Sequence, residues 1–158
     1  DEIGRLIDNC ADYLKPIVTV AVFTGMRKSE VLNLVWKEVD LGRGLIQLHD
    51  TKNGESRAVY LNKSVVAALR EQKLKSDGLY VFRSEMGKPY VNLTKSFASA
   101  LARSGITNFR FHDLRHTFAS QLVMSGIDLN TVREGLSGDL ARRWDARADI
   151  MALHNEAS

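Results

Sequence analysis

The chain has 158 residues, 44% of them apolar and 26% charged, a length and composition that exclude a disordered chain and suit one cytoplasmic globular domain. Its longest apolar run, residues 17–23, is too short to span a membrane, no signal peptide is visible, and the single cysteine, Cys10, excludes an internal disulfide. The net charge is +3, but residues 15–138 carry 18 basic and 11 acidic residues, an excess that suits either a polyanion-binding face or an ordinary solvated surface.

Helical spacing dominates the first part of the chain. Apolar residues predict a first helix that ends near Pro16, a buried helix over residues 17–24 and a third helix over residues 28–36. Gly25 follows the second of these segments, where a glycine is expected to end a helix.

The pattern then changes to strands. Residues 45–48 and 57–61 predict two antiparallel strands, because they flank Asn53-Gly54, a dipeptide typical of tight hairpin turns. Residues 79–82 predict a short third strand of the same small sheet.

The second half of the chain again indicates helices. Asn62 and Asp113 are expected to cap two of them, Gly105 is expected to end another, and Asp128 is expected to cap a short one. The elements together predict a mainly α-helical domain with a small three-stranded antiparallel β-sheet, an α+β fold.

Two basic residues are candidates for anion binding or catalysis. Arg27 lies at the start of the third predicted helix, where a guanidinium beside free backbone N–H groups suits an anion. The alternative is a surface arginine paired with Glu30. Lys52 precedes the Asn53-Gly54 turn, and this position alone indicates no more than a solvated lysine.

The densest cluster of candidate residues lies near the start of a predicted helix. His112, Arg115 and His116 have i, i+3, i+4 spacing, so a helix would place them on one face and form a basic site for a phosphate. The alternative is that the histidines only cap and pack the helix. His112 and His116 also imitate a zinc protease motif, but Asp113 replaces the glutamate base and no third ligand is evident, so we expect no metal.

Three segments in this order closely resemble the catalytic domain of tyrosine recombinases, the phage integrase family. They are TGMRKSEVLNLVW at residues 24–36, the hairpin lysine Lys52, and FHDLRHTFAS at residues 111–120. The resemblance covers nearly all of residues 1–134 and implies that family's helical domain with a small sheet. It also implies double-stranded DNA as the partner, self-association of the full-length protein on recombination sites, and strand breakage and rejoining through a 3′-phosphotyrosine without metal or other cofactor.

The resemblance also implies roles for individual residues. Arg27 and Arg115 match the two arginines that hold the non-bridging oxygens of the scissile phosphate. Lys52 matches the lysine that protonates the departing 5′ oxygen, and His112 matches a histidine that transfers a proton or contacts the phosphate. The residues implied to support this site without taking part in the chemistry are Glu30 and His116.

The family pattern ends after residue 134. Residues 135–140 replace the expected Leu-Gly-His segment, and no tyrosine follows Tyr90 to serve as the nucleophile. We therefore expect residues 1–134 to form the catalytic domain, without the family's N-terminal core-binding domain, and residues 135–158 to be a divergent or truncated tail.

Three functions stay open at this point. The first is a site-specific recombinase, an integrase of a phage or mobile element. A type IB topoisomerase shares the catalytic logic, but the short TGMRKSE and HDLRHTFAS segments favour the recombinase. The third is a non-catalytic DNA-binding module or decayed integrase copy, which the missing tyrosine favours.

Overall fold

A computed structural model describes residues 1–50 and 55–132 of the chain. A short 3₁₀ helix, Trp36–Glu38, precedes the sheet, and a helical turn over residues 129–132 follows the last long helix. This architecture confirms the predicted mainly α-helical fold with a small antiparallel sheet. The helices are α1 (Glu2–Asp8), α2 (Leu14–Thr24), α3 (Lys28–Leu32), α4 (Lys63–Lys75), α5 (Thr94–Ser104) and α6 (Asp113–Met124), and the strands are β1 (Val39–Asp40), β2 (Leu45–Asp50) and β3 (Glu55–Tyr60).

The sheet is antiparallel with the strand order β1-β2-β3. Residues of β2 and β3 pair from Leu45 opposite Tyr60 to Asp50 opposite Glu55, as expected for the predicted hairpin strands. Side chains alternate between the two faces of a sheet, and one face here packs into the core. The buried side chains on that face are Ile46, Leu48 and Val59.

The third strand of the sheet was predicted wrongly. Residues 79–82 form an isolated antiparallel bridge from Tyr80 to Val35, whereas the third strand is β1. The backbone N–H of Val81 donates to the carbonyl of Leu34 over 3.0 Å, so the segment binds the chain that follows α3. A short apolar run predicts burial but does not specify the backbone with which it pairs.

Three helix boundaries also differ from the prediction. The first helix ends at Asp8 instead of near Pro16, and the second begins at Leu14. Pro16 lies inside the first turn of α2, where its missing N–H removes no helical hydrogen bond. The third helix ends at Leu32 because the following residues bind residues 79–81. Asp113, which was predicted to cap α6, is the first residue of that helix, and His112 occupies the capping position. The Asp113 carboxylate accepts a hydrogen bond from the Arg110 N–H at 2.7 Å.

Other helix ends are as predicted. The Asn62 side chain caps α4 by accepting from the Val65 N–H at 2.8 Å. Gly25 and Gly105 end α2 and α5 in the left-handed conformation, at φ 69° in both cases. These features depend on a few neighbouring residues, and local sequence therefore predicts them.

The core is built around α2, which contacts α1, α3, α4 and α6. Eight of its eleven residues are buried, so it lies among the other helices and not on the surface. Its C-terminal end points to the start of α3 and packs near α6, which determines where the candidate site lies. Among the described residues, no helix is long and apolar enough to cross a membrane.

The buried face of α4 provides a test of this packing. Leu69 is fully buried, so Leu69→Ala should leave a cavity and lower the free energy of unfolding by about 2–5 kcal/mol in urea denaturation. The matched control is Leu74→Ala on the same helix, where the side chain is 88% exposed and the change should stay within about 0.5 kcal/mol. Equal effects of the two substitutions would contradict the burial of this face.

Candidate active site

Arg27 lies in the turn between α2 and α3. Gly25 reverses the chain direction here with its positive φ, and the buried Met26 anchors the turn in the core. Arg27 itself is extended, at φ −65° and ψ 150°, and its backbone N–H donates to Oε1 of Glu30 over 2.8 Å. Its side chain is 49% exposed, and its Nη1 lies 3.9 Å from Oε2 of Glu30. The turn therefore fixes the backbone of Arg27 and directs its side chain towards solvent.

Arg115, on the first turn of α6, reaches back to the same turn. Its Nη1 donates to the carbonyl oxygen of Gly25 over 2.7 Å, across 90 residues of sequence. Burial is the main cause that lowers the pKa of Arg115 to about 10, and the charges of Arg27 and Arg57 lower it too. Glu30 opposes this shift. At this pKa the guanidinium stays charged at neutral pH, within Coulombic range of two other arginines.

Arg57 of β3 completes the cluster, and the sequence analysis missed it. Its Nη1 and Nη2 bind the two carboxylate oxygens of Glu30 at 2.6 and 2.9 Å, and only 12% of its side chain is exposed. One signal could have found it. Arg57 and Val59 lie on the same face of the strand by alternation, so an arginine is placed beside a core position and needs an acidic partner.

Glu30 is the acid at the centre of this cluster. Burial on its own would raise the pKa of Glu30, but hydrogen bonds from Arg57 and from the backbone of Arg27, with the charges of both, lower it. Glu30 is therefore ionised at neutral pH. Within residues 1–50 and 55–132, Arg27 and Arg57 pair with this carboxylate and Arg115 lies within its electrostatic range, and the excess positive charge with its planar donors suits an oxyanion such as a phosphate.

The two candidate histidines lie on the first turns of α6. His112 is the N-cap of this helix, and its ring contacts that of His116 edge-to-face, with 4.8 Å between centroids and an interplanar angle of 86°. Both side chains are exposed. The i, i+4 spacing on this helix thus brings the two histidine rings into contact with each other.

The loop before α6 is fixed by local contacts. The Phe111 ring packs against Phe97 of α5 at 5.3 Å, and Nζ of Lys28 lies 5.7 Å from the centroid of the Phe111 ring. Lys28 is the first residue of α3. These contacts hold the start of α6 beside the start of α3 and therefore place Arg115 close to Arg27.

Three other predicted features lie outside the described residues: Lys52, the hairpin turn at Asn53-Gly54, and the tail, residues 135–158. The flanking strands β2 and β3 are paired up to Asp50 and Glu55. In the described part of the chain, no three His, Cys, Asp or Glu side chains are arranged to hold a metal ion.

Comparison with known proteins identifies relatives of this chain. The sequence model of the phage integrase family matches residues 1–137. The integrase of Salmonella phage P22 is 33% identical over 147 residues, which cover 84% of this chain and 38% of that protein. The fold is similar to the crystal structure of XerA recombinase, with a TM-score of 0.76 and 24% identity over 99% of this chain and 60% of that one.

A second similar structure is a complex with a substrate. It is the XerH site-specific recombinase bound to its difH substrate in a pre-cleavage complex, with a TM-score of 0.72 and 22% identity over 99% of this chain and 50% of that one. The chain therefore spans less than two thirds of the length of each of these relatives.

The lowered pKa of Glu30 predicts how stability depends on pH. A carboxylate with a lowered folded-state pKa stabilises the fold above its ordinary pKa of 4.5, and this contribution is lost as the pH falls through the folded-state value. Glu30→Gln should therefore lower the free energy of unfolding at pH 7, and the difference from the unsubstituted chain should shrink progressively below pH 4.5. Urea denaturation across this range measures both.

The control for this experiment is Glu71→Gln. Glu71 is exposed on α4 and pairs with Lys75 at 3.3 Å, so its removal should change stability little at any pH. A loss of stability in Glu30→Gln that stays constant from neutral to acid pH would contradict the ionised pair.

Proposed function

Because the chain belongs to the phage integrase family, we propose that it is the catalytic domain of a site-specific DNA recombinase, an integrase of a phage or other mobile element. The observation that carries this proposal is the cluster of Arg27, Arg57 and Arg115 around Glu30. Such a cluster suits the phosphate groups of double-stranded DNA. The XerH structure supports DNA as the partner, because a site-specific recombinase of this fold is bound there to difH substrate.

In the proposed reaction, Arg27 and Arg115 hold the non-bridging oxygens of the scissile phosphate. Negative charge grows on these oxygens in the pentavalent transition state, so donors that are already in position lower the barrier. The contacts described above support this assignment, because the Gly25 carbonyl holds Arg115 and the Glu30 carboxylate holds the backbone of Arg27. Glu30 is thus assigned a positioning role.

Proton transfer is assigned to two other residues. Lys52 is proposed as the general acid that protonates the departing 5′ oxygen, and His112 as a group that transfers a proton or contacts the phosphate. His116 is proposed to orient His112, since their rings are in edge-to-face contact.

The proposed reaction uses no metal or other cofactor. The full-length recombinase is proposed to self-associate on its recombination site.

The nucleophile decides whether these 158 residues cut DNA. The tyrosines are Tyr13, Tyr60, Tyr80 and Tyr90. The rings of Tyr13 and Tyr90 are tilted, with 5.1 Å between their centroids. Burial, followed by the nearby Tyr13 and Glu85, raises the pKa of the Tyr90 phenol, which lowers the fraction of Tyr90 present as the reactive phenolate. Tyr60 packs against a small apolar cluster formed by Phe118, Leu122 and Val132. We therefore propose that residues 1–134 bind DNA, that residues 135–158 are a divergent tail, and that this chain alone does not cut.

A second candidate function is a DNA-binding module or decayed integrase copy that never cleaves. The absence of any tyrosine after Tyr90 in this sequence favours this second candidate. The two candidates agree on DNA binding and differ in whether the arginine site can still catalyse cleavage when a nucleophile is supplied.

DNA binding should depend steeply on salt and on Arg27. Each neutralised phosphate contributes about −0.9 to the slope of log affinity against log salt. Arg27→Ala removes a half-exposed cationic side chain, so affinity for duplex DNA should fall and the slope should decrease by about one phosphate contact, as measured by fluorescence anisotropy.

The matched control is Arg83→Ala, which removes an arginine paired with Asp77 outside the cluster. It should change affinity less than Arg27→Ala does. Salt-independent binding, or equal losses in the two variants, would contradict a specific phosphate site at Arg27.

The chain should form no covalent adduct with a nicked duplex that carries a recombination site. In-line phosphoryl transfer through a covalent intermediate needs a positioned nucleophile, and arginines and lysine do not supply a phosphotyrosine link. Denaturing electrophoresis with labelled DNA measures the adduct. An adduct mapped to any of the four tyrosines would disprove this expectation.

A chimera separates the two candidate functions. Replacement of residues 135–158 by a family-like tail with the Leu-Gly-His segment and the tyrosine should restore cleavage if the chain is a recombinase domain. In that chimera Arg115→Lys should slow cleavage at least about a hundredfold, the scale for loss of one transition-state donor. A chimera that binds DNA without cleaving it would favour the decayed copy.

A further inference from the structure

One ion pair connects the sheet to the turn that carries Arg27. Arg57 on β3 and Glu30 on α3 are 27 residues apart in sequence and form two parallel hydrogen bonds at 2.6 and 2.9 Å. Only 12% and 19% of their side chains are exposed, so this pair is better shielded than an ordinary surface ion pair.

The same carboxylate also holds the backbone of Arg27. Oε1 of Glu30 accepts from Nη2 of Arg57 and from the Arg27 N–H, at 2.9 and 2.8 Å. An acid at the third helical position commonly accepts from the backbone N–H of the capping residue, and Arg57 holds this acid in the orientation that allows it. Arg57 therefore acts on the turn through Glu30.

Arg57 also determines how Glu30 and Arg27 interact. A free carboxylate beside an arginine tends to form a bidentate pair with it, which would use the donors that an anion needs. Here both oxygens of Glu30 are taken by Arg57, and Nη1 of Arg27 stays 3.9 Å from Oε2. The Arg27 side chain is half exposed.

We propose that Arg57 is a positioning residue of the phosphate site: by binding both oxygens of Glu30, it fixes the Arg27 backbone and leaves the Arg27 guanidinium available to a DNA phosphate. This inference rests on the proposed DNA-binding function. It also assigns Arg57 a role that its charge alone does not explain, since lysine has the same charge but cannot bind two carboxylate oxygens with a planar fork.

The first experiment needs no DNA. Hydrogen exchange of the Arg27 backbone amide, followed by NMR in the full 158-residue chain, reports the hydrogen bond to Glu30. Arg57→Ala and Arg57→Lys should each speed this exchange about tenfold, the scale of one lost hydrogen bond to a charged group. Arg83→Ala breaks the ion pair with Asp77 elsewhere and should leave it unchanged. Equal exchange in Arg57→Ala and Arg83→Ala would overturn the positioning role.

The second experiment is a double-mutant cycle of duplex DNA affinity. Arg57→Ala alone should weaken binding about tenfold, whereas in the Arg27→Ala background it should weaken binding less than about twofold, because its effect passes through Arg27. Equal losses in both backgrounds would show that Arg57 acts by its own charge or by general stability, and would overturn the proposal.

The two experiments also separate this inference from the proposed function. If the unsubstituted chain bound no duplex DNA, the proposed function would fail, and the exchange of the Arg27 amide would still decide whether Arg57 positions that residue. If Arg57→Lys sped up exchange of the Arg27 amide but left the affinity for duplex DNA unchanged, the proposal that Arg57 supports phosphate binding would be overturned. The proposed DNA-binding function would still stand.

Discussion

Three guanidinium groups that lie within Coulombic range of one another repel, and the fold must oppose this repulsion to keep them together. In the described part of the chain, Glu30 provides the opposing charge for Arg27, Arg57 and Arg115. It balances only part of the positive charge. An anion placed beside such an excess of positive charge relieves the repulsion, which is the physical basis of the proposed phosphate site.

The rest of the fold is arranged so that these side chains meet. The central helix α2 is buried by its neighbours, and Gly25, which caps its C-terminal end, makes two contributions. Its left-handed conformation turns the chain into α3, and its carbonyl accepts from Arg115 of α6. The sheet contributes Arg57 from β3. The turn between α2 and α3 therefore receives contacts from both α6 and β3. Arg115 of α6 binds the carbonyl of Gly25, and Arg57 of β3 binds the carboxylate that accepts from the Arg27 N–H.

Preorganisation is the property that links this arrangement to the proposed chemistry. An arginine held by an existing hydrogen bond loses little further freedom when it binds a phosphate, so more of its interaction is available to stabilise developing charge. Arg115 is held in this way by a carbonyl, and the Arg27 backbone by a carboxylate. The half-exposed Arg27 side chain keeps the freedom to meet its ligand.

The sequence by itself determined the features that depend on neighbouring residues. The cap at Asn62, the helix end at Gly105 and the antiparallel pairing of the two hairpin strands were predicted correctly, because each depends on residues close together in the chain. The motif segments around Arg27 and Arg115 likewise indicated the family. Only the tertiary structure decided which backbone pairs with residues 79–82, since such pairing joins distant segments that no local pattern specifies. For the same reason it alone placed Arg57 on Glu30: a salt bridge across 27 residues exists only when packing brings both ends together.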